Sequence, residues 1–393
     1  VAPKPVPQRS VQKKSMQPKY RRRRQLAAAL AVALITLLVG VTAYVFYVRE
    51  VRGNRDYEGS GTGDVIMVRV EDGDSVSALA PKLVDEHIVG SRKALINQAE
   101  KTNASLMAGY YPLRKEMSAE AALKTLTDEK QRQGVVDVPT GATLDDVRVV
   151  GGQTRPGIFT LISQQTCKDP GTCVTPEKLR DAVAQTPAAE LGVPQWAQAA
   201  VNARGADPRR IEGLISPGIH VFNPQLDAKE IVKDVVTDSA QTYEDTGLEQ
   251  AAAQVKLKPY EMITAASLVE REAPSGDFDK VARVILNRLD VKQRLEFDST
   301  VNYAIDEQEV ATTNQDRERV TPWNTYAKEG LPDTPISSPG LAALKAVENP
   351  APGDWLYFVT VDKNGTTVFN KDFADHQRAV AQSQSNGVLD SAR

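Results

Sequence analysis

KPYEMITAASLVEREA, residues 258–273, is the stretch on which the fold turns. Pro259 stands where a missing N–H costs nothing, and Glu261 falls in the first turn, where the helix dipole favours an acid. At about 100° per residue, Met262, Ala265, Ala266, Val269 and Ala273 make one apolar face, with Glu270 and Glu272 roughly 80° to either side of its centre. Residues at i and i+2 do not face each other on a helix, so the two carboxylates cannot flank one scissile bond. At most one is a working acid, and the other supports an Arg or a helix end. The wheel is symmetric and does not choose between them, and both could equally edge a solvated helix face.

Outward from this helix, DFDKVARVILNRLDVKQRLEFDSTVNYA (277–304) predicts a helix and then a turn carrying Asp298 and Thr300. VTPWNTYAKEGLPDTPISSPGLAALKAVENP (320–350) is a long polar and aromatic loop before another helix. Such loops suit a sugar cleft, with rings on pyranose faces and amides on hydroxyls, although plain loop chemistry has the same composition. WLYFVTVDKNGTTVFN (355–370) predicts a hairpin with Asn364-Gly365 at its tip. Upstream, VIMVRV (65–70), the EDGD turn and SVSALAPKLVDEHIV predict strand, turn and helix. VVDVPTGATLDDV reads as strand, turn and helix start, and DAKEIVKDVVTDSAQTYEDTG as a helix ending at Gly247. Helices are expected to predominate over 135–257. The fold class is α+β.

The 393 residues sum to a net charge of −3, yet residues 1–25 hold nine Lys or Arg and no acid, which leaves −12 for the rest. This is a basic head on an acidic body, and no nucleic-acid partner is expected. Residues 26–48, LAAALAVALITLLVGVTAYVFYV, carry no charge over 23 positions, enough to span a bilayer. A cleavable signal has a shorter apolar region and a small-residue cleavage site, so a retained anchor is expected. The basic flank, RRRR at 21–24, places the disordered tail of residues 1–25 in the cytoplasm and about 345 residues outside. GNRDYEGSGTG (53–63) marks a linker over 49–64. Cys167 and Cys173, in CKDPGTC, are either a small disulfide loop or two free thiols. His87, His220 and His376 are scattered without metal-ligand spacing, so no metal or cofactor is expected.

The succession SLVEREA, VILNRL, RLEFDSTVNYA, TPWNTYAKEGLPDTPISSPG, LYFV, VFN and DFADH closely resembles the endolytic murein transglycosylase (YceG-like) family, densely over 258–378 and more loosely over 65–257. The strand, Gly-Asp turn and helix order over 65–89 resembles a LysM-like module in this one short segment, against the alternative of an ordinary small α/β unit. The resemblance implies a LysM-like subdomain over 65–134, a scaffold over 135–257 and a catalytic core over 258–393. It makes Glu270 the catalytic glutamate, and Glu272 a second family glutamate, with Arg271 replacing the usual lysine. Asn287 and Arg288 match an NRL element; Asp298, Thr300 and Tyr303 a DPTVxYA-type stretch; Asn324, Thr325 and Tyr326 an NTY; Ser338, Pro339 and Gly340 an SPG; and His376 a terminal histidine. Ser299 departs from a usual proline, and EGLISPGIHVF (212–222) departs from an EGYLFPDTY-like segment, although Glu212 and Gly213 remain.

The implied reaction is lytic cleavage of the MurNAc–GlcNAc bond in nascent peptidoglycan, with Glu270 as both acid and base and 1,6-anhydro ends as product. Nascent strands, the membrane and cell-wall synthases are the implied partners. Asp298 orients the acid or caps a turn, Tyr303 and Tyr326 are sugar platforms or core residues, and His376 is structural. Two other functions compete: a glycan-binding scaffold for synthases that does not cut, and an inverting muramidase with Glu270 as acid and Asp298 as base.

Overall fold

A computed structural model of the chain describes residues 18–47, 55–149, 151–168, 171, 173–305, 307–308 and 312–388. Most of the expected basic tail (1–17), the last residue of the expected span (48), the head of the linker (49–54) and part of the CKDPGTC loop lie outside the described residues. Helix α1 (Pro18–Tyr47) begins inside the stretch expected to be tail. Its 23 residues from Gln25 to Tyr47 are apolar on every side and none is buried by the rest of the chain. They extend about 34 Å, a match to the bilayer core.

The chain divides into two compact units. The first takes most of β1 (Ser60–Val70), α2 (Val76–Asp85), α3 (Arg92–Thr102), part of β2 (Gly109–Met117) and α4 (Ala119–Thr127). β1 and β2 form a two-stranded sheet. Ser75 and Ser91 cap α2 and α3 by accepting from Ala78 and Ala94, which satisfies amides that a helix start otherwise orphans. Leu79, Leu83, Ile88 and Leu95 supply its buried side chains.

The second unit runs through β3 (Val135–Val138), β4 (Val147–Val149), β5 (Gln153–Arg155), α5 (Ile158–Thr166), α6 (Pro176–Gln185), α7 (Gln195–Ala203), β6 (Gly218–Val221), α8 (Ala228–Glu244), α9 (Leu248–Gln254) and α10 (Pro259–Glu272). It continues with α11 (Phe278–Asp290), α12 (Asp298–Asn302), β7 (Glu307–Gln308), α13 (Asn314–Glu318), α14 (Leu341–Glu348), β8 (Tyr357–Thr360), β9 (Thr367–Asn370) and α15 (Phe373–Ser385). The architecture is mixed α+β. β3 pairs antiparallel with β6, while β4 sits between antiparallel β5 and parallel β7. One core gathers β3 and α5–α8 around Phe159, Ile162 and Phe222, and a second gathers α9–α11 and α14. Residues 142–149 turn out of β3 and into β4, so the helix start expected in VVDVPTGATLDDV is not formed: helix resumes only at Ile158, after Pro156. Pro156 holds the residue before it extended.

Helix α10 joins the cores, with Tyr260 in the first and Met262–Val269 in the second. Its start is fixed locally: Pro259 is the first helical residue and the Glu261 carboxylate accepts the Lys258 N–H at 2.8 Å. All eight side chains from Met262 to Val269 are buried, so the helix is enclosed on every side, not only along the predicted stripe. Thr264, Ala265, Ala266 and Ser267 are small, which lets α11, α14 and the 334–338 loop close around it; Ser267 Oγ accepts the Ile336 N–H at 3.1 Å. Pro274 ends it, with Ala273 already extended.

Cys167 and Cys173 are joined in a disulfide just past α5, and the Thr166 hydroxyl ties the loop by accepting from Val174 N–H. The hairpin β8–β9 turns at Gly365 (φ 86°), where the Asp362 carboxylate accepts from Asn364 and Thr366 N–H.

Candidate active site

The two glutamates at the end of α10 part company. Glu270 Oε2 accepts the backbone N–H of Gly340 at 3.0 Å, at the N-terminal end of α14. Glu272 Oε1 accepts the N–H of Ser299 at 3.2 Å, at the start of α12. Each carboxylate therefore takes one of the amides that a helix start leaves without an intrahelical acceptor. Burial pushes the Glu272 carboxyl above the usual range, and the nearby Asp298 charge adds to this.

A second strand of chain clamps Glu270. Gly141 N–H donates to Ser338 O at 2.8 Å and Ser338 N–H donates to Ala142 O at 2.7 Å, so residues 139–142 lie against the SPG turn. Gly340 has ordinary backbone angles (φ −73°) and is glycine for room. A Cβ there would stand 2.5 Å from Thr140 Cγ2 and 3.2 Å from Glu270 Oε2. The Ser338 hydroxyl is buried without a hydrogen-bond partner.

Asp298 is saturated. It accepts from Thr312 Oγ1 (2.7 Å), Tyr326 OH (2.8 Å) and both Nε and Nη2 of Arg317 (3.1 and 3.0 Å). Arg317 also lies over the Tyr326 ring, 4.9 Å from its centroid. Desolvation raises the Tyr326 hydroxyl pKa, and the Asp298 charge raises it further. Tyr326 is thus occupied at both hydroxyl and ring face. Tyr303 is occupied too: its hydroxyl donates to Glu212 Oε2 at 2.6 Å and its ring meets Trp323 edge-on at 5.2 Å.

Glu212 is buried, and both its oxygens accept from Leu144 N–H at 3.2 Å. Burial pushes its carboxyl up to about 7, against the lowering effect of the Tyr303 and Leu144 hydrogen bonds. Burial lowers the pKa of Arg271, between Glu270 and Glu272 on the same helix, and the Arg155 charge is the next cause. The sequence signal for Glu212 is its survival inside the divergent EGLISPG; Thr140 and Gly141, read as a bare turn, had no such signal.

The remaining expected residues build the frame. Asn287 Nδ2 donates to Trp355 O at 2.9 Å, and Arg288 to Leu356 O and Leu295 O, fastening the hairpin to α11. Thr300 and Thr325 share a buried hydroxyl contact of 3.0 Å, and Thr325 Oγ1 accepts Phe297 N–H. Asn324 Nδ2 donates to Arg317 O and Arg319 O, closing the loop that carries Arg317 to Asp298. His376 stacks on Tyr357 at 5.1 Å, and burial lowers its pKa, followed by the Arg288 charge. These contacts put Asn287, Arg288 and His376 with the hairpin, and Asp298, Thr300, Thr325 and Tyr326 on the Glu272 side.

The α+β unit thus holds Glu270 and Glu272 at two different helix starts and gives Glu212 and Asp298 hydrogen-bonded partners of their own. The profile described as the YceG-like family matches residues 68–382, and the chain belongs to that family. The endolytic murein transglycosylase of Bacillus subtilis (strain 168) is 28% identical over 319 residues, covering 80% of this chain and 83% of that protein. The protein of the same name from Streptococcus pneumoniae serotype 2 is 28% identical over 310 residues, covering 72% of this chain; the match spans 51%, about half, of that relative. A crystal structure of a yceG-like protein from Listeria monocytogenes is 23% identical with a TM-score of 0.49, covering 81% of this chain and 99% of the other.

Proposed function

We propose that this chain is a membrane-anchored endolytic lytic transglycosylase that cuts the MurNAc–GlcNAc bond of nascent peptidoglycan, with Glu270 as its only acid and base. The observation that carries the reading is the divergence of the glutamate pair: Glu270 borders the loop 139–142 and the start of α14, whereas Glu272 bonds inward to Ser299, where burial raises its pKa. As acid, Glu270 donates its proton to the glycosidic oxygen while the C1–O bond breaks. As base, it takes the proton of the same sugar's 6-hydroxyl as O6 bonds to C1. No water is consumed, and one carboxyl group serves both steps. The names of the relatives support the substrate and reaction.

The rival muramidase needs Asp298 as a base, and that carboxylate already accepts four hydrogen bonds, from Arg317, Thr312 and Tyr326. Product mass separates the readings: incubation with uncrosslinked strands is expected to leave 1,6-anhydro ends, one water lighter than hydrolytic ends. Reducing ends alone would establish the hydrolase, and uncut strands the scaffold.

Gly340→Ala is expected to lower turnover about 100-fold, because the new methyl must displace Thr140 or the Glu270 carboxylate, and a misplacement of about 1 Å costs that much. The melting temperature should move by only a few degrees. Steady-state release of anhydro ends beside a thermal melt checks both.

In this reading α1 is a retained anchor with its basic flank cytoplasmic and the rest of the chain outside. The strand–helix–helix–strand order of β1, α2, α3 and β2 supports a LysM-like glycan holder over 65–134, ahead of a scaffold over 135–257 and a catalytic core from 258. A site tethered to the outer face meets strands as synthases release them, which fits termination of glycan elongation.

A further inference from the structure

A cavity of about 190 Å³ lies beyond the loop that clamps Glu270, with Asp145, Asp146, Arg209, Tyr303, Ala304 and Ile305 in its wall. Thr143 lines it as well, two residues after Gly141, where a Cβ would lie 3.7 Å from Glu270 Cγ. Two residues of backbone extend at most about 7 Å, so the cavity is a near neighbour of the reacting carboxylate. Its polar groups are held in place. Arg209 lies over Trp323, with Cζ 4.0 Å from the ring centroid, and its Nε faces Asp207 Oδ1 at 3.5 Å. Asp146 Oδ1 accepts the Gly157 N–H at 2.7 Å, which fixes that carboxylate through one oxygen. Tyr303 is fixed by its bond to Glu212, itself part of the wall. Val147, Ala304 and Ile305 add apolar surface, so a fixed donor, a fixed acceptor and an apolar wall share one small space.

We propose that this cavity receives the acetamido group of a sugar flanking the bond that Glu270 cuts, with Arg209 donating to its carbonyl oxygen and Asp146 accepting its N–H. The inference rests on the function proposed above and gives it a specificity site. A secondary amide is the group that calls for a donor and an acceptor together, and the acetamido methyl lies against Val147, Ala304 and Ile305. A sugar hydroxyl meets either polar group but leaves the apolar wall facing water. A de-N-acetylated sugar brings a cation with no acceptor for Arg209, and is rejected both by charge and by the donor it leaves unpaired. The peptide of the same strand also carries secondary amides; the acetamido group is favoured because it projects directly from a ring that Glu270 must align. Glu212 then has a part in specificity, since its carboxyl holds Tyr303 in the wall.

The test uses the full chain in detergent carrying Glu270→Gln, so that binding is read without cutting. Short uncrosslinked glycan fragments are titrated by calorimetry in three forms: intact, de-N-acetylated, and stripped of peptide by an amidase. De-N-acetylated fragments are expected to bind about tenfold more weakly than intact ones, or worse, and stripped fragments within about twofold of intact ones. Arg209→Gln in the same background should bring intact fragments down to the de-N-acetylated level. Ala304→Leu, which fills the cavity without changing charge, should do the same and decides the matter if Arg209→Gln does not fold. Equal affinity for intact and de-N-acetylated fragments, or a preference that survives these variants, overturns the subsite while leaving the glycan reading intact. A loss on peptide stripping in place of deacetylation also overturns it, by giving the cavity to the peptide. Failure of the intact fragments to bind at millimolar concentration overturns the glycan reading, and the subsite with it.

Discussion

Glu270→Gln is expected to abolish formation of 1,6-anhydro ends, with a loss of about 10³-fold or more and a melting temperature close to that of the parent. Glutamine has nearly the same shape, and its amide oxygen can still accept the Gly340 N–H that Glu270 Oε2 takes at 3.0 Å. The clamp between residues 141–142 and Ser338 is made by backbone and does not involve the side chain. What disappears is the proton, and a positioned acid–base group contributes about 10²–10⁴-fold to a rate. Because this mechanism assigns both proton transfers to one residue, the loss should lie at or above the middle of that range. Quantifying anhydro ends by mass spectrometry, after hours with uncrosslinked strands, reads the result. Activity within tenfold of the parent would remove Glu270 from the mechanism and direct attention to Glu212.

The second large effect is on stability. The Glu212 carboxyl is pushed from 4.5 up to about 7 by burial, so between those values the folded chain holds a proton that the unfolded chain has released. Stability must therefore fall as pH rises from 4.5 through 7 and level off above it, by on the order of 3 kcal/mol for this group alone. Glu272, raised by burial in the same direction, adds a slope of the same sign. Glu212→Gln carries no titrating proton and keeps an oxygen for the Leu144 N–H and the Tyr303 hydroxyl. Denaturant unfolding at pH 5 and pH 8 should show most of the difference vanishing in the variant. A parent chain equally stable at both pH values would contradict a neutral, buried Glu212.

The sequence exposed those parts of the site that local rules determine. Pro259 and Glu261 announced the start of α10, Asn364-Gly365 announced the hairpin, and the i, i+2 spacing required Glu270 and Glu272 to point to different places. Where each one points was not legible, because Gly340 lies 70 residues beyond Glu270 and Ser299 27 residues beyond Glu272. The wheel also suggested a half-exposed helix; a run of Thr264, Ala265, Ala266 and Ser267 is instead small enough to be walled in on all sides. Tyr303 and Tyr326 have the composition of sugar platforms, yet partners distant in the chain, Glu212 and Asp298, already hold their hydroxyls. Thr140 and Gly141 looked like a turn because a turn is all that a short-range pattern can express.

The backbone tie between Gly141 and Ser338 also has a consequence in time. The three pieces that meet at Glu270 come from residues 139–142, 270 and 338–340, so they are synthesised in widely separated order. Contacts this distant form late, after the loops between them have closed. A chain halted anywhere before residue 340 lacks the amide that holds Glu270, whatever else has folded. The hold on Glu270 thus waits for the chain to reach residue 340, and every shorter nascent chain leaves that carboxylate without its amide partner.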